Sequence, residues 1–149
     1  MNRCNRRSFL GLWAIAAGSQ VVPWKSPVAD EPPLALKGYD PVAYFTDHKP
    51  VEGSSQYEAV WDNNRYRFAS AEHRDLFKSD PAHYAPQFGN ACTTTLSRGG
   101  FKAVEPDAWV IHDNKLYMFG GIAGVPIFQK DPAGYITKAN QNRSVIPKG

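Results

Sequence analysis

The feature that most limits what this chain can fold into is a displaced copy of part of itself. Shifted by 51 residues without a gap, the sequence sets Asp62, Asn63, Tyr66 and Phe68 on Asp113, Asn114, Tyr117 and Phe119. The same shift sets Phe77, Asp80, Pro81, Ala82 and Tyr84 on Phe128, Asp131, Pro132, Ala133 and Tyr135. Nine identities fall within 23 aligned positions, where ordinary residue frequencies give roughly one or two. Such self-similarity points to one supersecondary unit used twice.

Each unit reads as a hairpin followed by helices. Tyr57, Ala59 and Trp61 alternate with polar residues, a strand pattern. Asp62-Asn63-Asn64 is a turn, because Asn and Asp tolerate positive φ, and Tyr66 and Phe68 alternate along a second strand. Ser70 caps a helix whose apolar face holds Leu76 and Phe77. Asp80-Pro81 opens a short helix, with Asp as cap and Pro in the first position. In the second unit, Trp109-Val110-Ile111 and Leu116-Tyr117-Met118-Phe119 form a hairpin apolar on both faces, hence the more buried one. The helix after it is weakened by Gly120, Gly121, Gly124 and Pro126. Asp131-Pro132 opens the last helix, through about Asn142, and Asp40-Pro41 opens a short apolar turn ahead of both units. The expected fold is α+β: one antiparallel sheet of two hairpins in a pseudo-repeat, packed with short helices.

Charge divides the chain. The formal net charge is +3, yet residues 1–29 hold Arg3, Arg6, Arg7 and Lys25 and no acid. Removing those four from the 17 basic residues leaves 13 against 14 acidic ones, so the body is close to neutral. That balance excludes an electrostatic case for nucleic acid. Arg6-Arg7-Ser8-Phe9-Leu10 before an apolar stretch ending at Val22 looks like a twin-arginine export motif. The stretch from Phe9 to Val22 is 14 residues, short of the roughly 20 that span a bilayer. The expected partner is therefore the twin-arginine export machinery, with no stable membrane span after processing and a periplasmic or otherwise exported location. Cleavage after Gly18 or after Ala29 both fit. The expected organisation is a signal segment and start of linker over 1–29, linker over 30–35, a domain over 36–142 and a tail over 143–149. Cys4 precedes the apolar run, so it would leave with the leader and cannot be a lipoprotein cysteine. Cys92 is then the one cysteine of the body.

The run Leu36-Lys37-Gly38-Tyr39-Asp40-Pro41-Val42-Ala43-Tyr44-Phe45 resembles the opening of stand-alone YHS-domain proteins. So does Tyr66-Arg67-Phe68-Ala69-Ser70-Ala71-Glu72, followed by Phe77 and by Asp80-Pro81-Ala82-His83-Tyr84-Ala85-Pro86-Gln87-Phe88-Gly89. Cys92 stands where that family commonly has a cysteine after a tight turn. The stretches from Ala108 to Tyr117 and from Asp131 to Asn140 are similar to its C-terminal half. The resemblance covers about residues 35–142 and implies a small α+β domain, often exported and often associated with metal. Metal-site members of the wider family carry further cysteines near the opening and before the helix; here those places hold Val42 and Ala69, and only Cys92 carries over.

Chemistry therefore centres on Cys92. A thiolate can hold a soft ion such as copper(I), act as a redox thiol or nucleophile once its pKa falls, or simply pack as a small hydrophobe. His83, nearest in sequence, and His112, at the end of a strand beside the Asp113 turn, are the candidate co-ligands. His48 reads as solvated and His73 as packed at the edge of an apolar helix face. The expected function is a copper-like metal module using Cys92, His83 and His112; the alternatives are a thiol redox protein using Cys92 and a structural or protein-binding module whose Trp and Tyr residues supply the contact surface. The sequence contains no Gly-x-Ser-x-Gly, phosphate loop or His-Glu-x-x-His, so it offers no catalytic residue set.

Overall fold

The computed structural model describes residues 31–148; the leader, with Arg6, Arg7 and Cys4, lies outside the described residues. A 3-10 turn, Ala35–Gly38, leads into α1, Ala43–Thr46. The first unit is β1, Ser54–Trp61, β2, Asn64–Phe68, α2, Ala71–Ser79, and α3, Pro81–Tyr84. After α4, Thr93–Leu96, the second unit repeats the order with β3, Trp109–His112, β4, Lys115–Met118, α5, Gly124–Gln129, and α6, Pro132–Gln141.

The repeat persists down to dihedral angles. Both hairpins turn on an Asp-Asn pair in the left-handed region: φ is 48° and 56° at Asp62 and Asn63, and 49° and 59° at Asp113 and Asn114. Two such residues give the tight turn whose twist matches a hairpin. The Asp caps also match: Asp80 has φ −150° and ψ 72°, and Asp131 has φ −155° and ψ 70°. Their carboxylates accept from the N–H of His83 at 3.2 Å and of Gly134 at 3.0 Å. Ser70 Oγ accepts from His73 N at 3.2 Å. The units diverge where glycine and proline shorten α5 to six residues.

The fold is α+β, but the two hairpins stay separate two-stranded antiparallel sheets instead of joining into the one expected. The reason lies in β4. Its residues alternate between two cores: Leu116 and Met118 enter the one built on Tyr66, Phe68 and Phe77, while Tyr117 and then Phe119 enter the one built on Leu96 and Phe128. On β3, Trp109 and Ile111 pack on the first core and Val110 on the second. A hairpin apolar on both faces needs cover on both, so it stands as a wall between two cores. The first hairpin, with Val60 60% exposed, covers one side only.

Residues on either side of the expected domain pack onto it. Arg65 N donates to Pro33 O at 2.9 Å, and Ala35 and Leu36 are fully buried. Beyond Asn142, the tail forms a 3-10 turn, Arg143–Val145, and Ile146 packs on the second core. Among the described residues no helix is long and apolar enough to cross a membrane.

Candidate functional site

Cys92 stands just before α4, as its N-cap residue in extended backbone conformation. Its N–H donates to Lys102 O at 2.8 Å, and its carbonyl accepts from Leu96 N at 2.9 Å to close α4. Threonine is a mediocre helix former, so α4 depends on its surroundings. Thr93 Oγ1 donates to Met118 O at 3.1 Å, pinning the turn to β4. Asn142 Nδ2 donates to Leu96 O at 3.0 Å and covers its far end.

The next two threonines face the sulfur. Thr95 Oγ1 donates to Cys92 Sγ at 3.3 Å, and Thr94 Oγ1 lies at the same distance. The backbone amides of Gly120 and Thr95 also favour the anionic sulfur. Burial pushes the thiol pKa up, but these hydroxyl and amide donors outweigh it and hold the thiol below its ordinary value. The residue is 3% exposed and has no disulfide partner among the described residues. Chemically this is a buried sulfur whose neighbours favour the thiolate more than burial disfavours it.

The expected histidine partners sit elsewhere. His83 stacks between Phe45, at 4.7 Å between ring centroids, and Tyr84, at 4.5 Å. His112 ends β3, faces Phe128 edge-on at 6.0 Å, and has Nε2 3.4 Å from Asp113 Oδ2. Among the described residues no three His, Cys, Asp or Glu side chains form a group that could hold a metal ion, so Cys92, His83 and His112 are not gathered into one centre. His48 is exposed in its loop.

One polar cluster had no sequence signal. Asp40 is fully buried. Its Oδ1 accepts from Val42 N at 2.8 Å, and its Oδ2 accepts from Ala69 N at 2.9 Å and pairs with His73 Nδ1 at 2.6 Å. His73 Nε2 lies 3.4 Å from Thr46 Oγ1. A single carboxylate thus ties α1, the end of β2 and α2 together, across 33 residues of sequence. His73 does lie at the edge of its helix, but as a partner to this buried charge. The arrangement satisfies the buried acid, as burial requires, and reads as structural.

No family model, curated protein or solved structure matches the chain.

Proposed function

We propose that this chain is an exported module of the YHS type that works through the Cys92 thiolate as a thiol redox group. The observation that carries the reading is the pair of hydroxyls within hydrogen-bond distance of Sγ, beside which the thiol pKa is held down despite burial. Exposure of only 3% suits a small oxidant better than a bulky disulfide partner. The step is attack of the thiolate on the peroxide O–O bond. The sulfur gains one oxygen as sulfenic acid, the peroxide is reduced, and its other oxygen leaves as hydroxide, then water. A thiol reductant supplied by the compartment would return the group to its starting state.

The test treats the protein with hydrogen peroxide and follows Cys92 by mass spectrometry. Wild type is expected to gain one oxygen at Cys92, and Thr94→Val with Thr95→Val to react more slowly, by about threefold for each unit that the thiol pKa rises, the loss of thiolate being partly offset by its greater nucleophilicity. A Cys92 left unmodified under peroxide that oxidises free cysteine overturns the reading and leaves the structural module. The same sulfur, as a soft anion, is also the donor that copper(I) prefers, which favours copper as the second reading. Tight copper(I) binding lost in Cys92→Ser, with no peroxide reaction, would put the metal reading in its place.

Export rests on Arg6 and Arg7. Replacing both by Lys keeps the charge but removes the motif, and export should fail. Normal export of that variant, unaffected by blocking the twin-arginine route, would refute this part of the proposal.

A further inference from the structure

A cleft of about 670 Å³ opens beside the first hairpin turn, bounded by the segment after α3 and by the C-terminal turn. That volume falls within the roughly 300–1,000 Å³ usual for small-molecule sites. Cys92 is not among the residues that line it, so it is independent of the thiol site.

Its walls combine rings with positive charge. Half-buried Trp61 and Phe101, 43% exposed and a member of neither core, offer the aromatic surface, while buried Tyr66 and Phe88 back it from the cores. The amides that form part of the lining are fixed. Asn90 Oδ1 accepts from Leu36 N at 2.9 Å, its Nδ2 donates to Asn64 Oδ1 at 3.2 Å, and Asn64 Nδ2 donates to Asp62 O at 2.9 Å. That chain of bonds leaves a preformed, rigid wall, which lowers the ordering cost of binding.

The charges indicate which ligand fits. Arg143 and Lys148 both line the cleft, against the single carboxylate of Asp62. The Arg143 guanidinium lies 4.7 Å over the Phe88 ring, and its Nε donates to Asn140 Oδ1 at 2.9 Å. That placement holds the cation at the cleft while leaving its other N–H groups for a ligand. Among the described residues neither Arg143 nor Lys148 is within ion-pair distance of a carboxylate.

We infer that this cleft binds a planar aromatic anion, its ring against the aromatic wall and its carboxylate at Arg143 and Lys148. The stacked guanidinium presents a planar fork that suits a carboxylate.

The test titrates the isotope-labelled whole chain with 1-naphthoate, followed by amide chemical shifts. Two probes with the same ring system, 1-naphthylmethylamine and 1-naphthalenemethanol, vary the charge alone. Naphthoate should shift the amides of Asn64, Gln87 and Arg143 saturably and bind at least about tenfold more tightly than either analogue, a difference of 1.4 kcal/mol. Arg143→Gln with Lys148→Gln, both exposed positions, should abolish that preference, and added salt should weaken wild-type binding. Equal affinity for the three probes, no saturable shift, or shifts confined to another surface would overturn the proposal.

Discussion

The ring of Phe77 lies 4.8 Å from that of Tyr66, with the planes inclined by 39°. The equivalent pair in the second unit, Phe128 and Tyr117, is 5.2 Å apart at 32°. The agreement extends to neighbours. Phe68 is 5.1 Å from Phe77, and Phe119 is 5.3 Å from Phe128. Trp61 meets Phe77 at 86°, while His112, its counterpart, meets Phe128 at 89°. Each unit thus packs one helical Phe on the rings of its own hairpin, with the same geometry.

Matching roles should give matching energies. Phe77 is 1% exposed and Phe128 fully buried. Phe77→Ala and Phe128→Ala should each lose about 3–5 kcal/mol in urea denaturation. Val60→Ala, at an exposed strand position, should stay within about 0.5 kcal/mol. A loss below about 1 kcal/mol at either Phe would break the equivalence of the two units.

The turns give a second paired prediction. Asn63 and Asn114 sit at φ 56° and 59°, where a Cβ costs roughly 1–2 kcal/mol, a cost that Asn lessens by local hydrogen bonding. Alanine at either site should destabilise, and glycine should be neutral or stabilising. Denaturant midpoints for the four variants would show whether both turns obey the same rule.

Asp40 should be among the least replaceable polar residues. Asp40→Ala takes the acceptor from the buried N–H of Val42 and from the part-buried N–H of Ala69, and each unsatisfied buried group costs about 1–3 kcal/mol. His73→Ala removes one partner and leaves those two amide bonds in place, so its loss should be the smaller. Thermal denaturation of the two variants side by side checks the order.

Much of this was legible because it is local. Ser70, Asp80 and Asp131 cap helices through their own nearest turns, and the Asp-Asn turns announce themselves within two residues. The apolar alternation of Leu116 to Phe119 showed that both faces of β4 are covered, but not by what, so two sheets could not be told from one. Asp40 and His73 meet only after the chain folds back on itself. The same holds at Cys92, where Gly120 supplies an amide from 28 residues away and α4 forms from threonines against their intrinsic preference. Propensity was overridden there by Met118 and Asn142.

Alkaline pH should expose the buried phenols. Burial, then nearby carboxylates, raise Tyr44 and Tyr66 well above the ordinary tyrosine value. Asp107 adds most to Tyr44 after burial, and Asp62 adds to Tyr66. A raised folded-state pKa means that the neutral phenol is favoured in the fold. That stability is complete below the unfolded value of about 10 and is lost as pH rises from there toward the folded values. Phenolate absorbance should show these two rings titrating only with unfolding, and denaturant midpoints should fall above pH ~10.

Cys92 has the opposite sign. Its folded-state pKa is lowered by the hydroxyl and amide donors around Sγ, against the opposing effect of burial. The fold therefore favours the thiolate. Its contribution is fully present above the unfolded thiol value of about 8.5 and is lost as pH falls through the lower folded value. Cys92→Ser lacks a group that titrates there, while it keeps the tyrosines, so the wild-type-minus-variant difference isolates the sulfur. That difference in urea stability should grow as pH rises through the lowered folded value and level off above the unfolded value of about 8.5. Thr94→Val with Thr95→Val should flatten the slope, because the amide donors alone stabilise the anion less. A difference that stays constant with pH would mean that the fold does not favour the thiolate, and the redox reading of Cys92 would lose its basis.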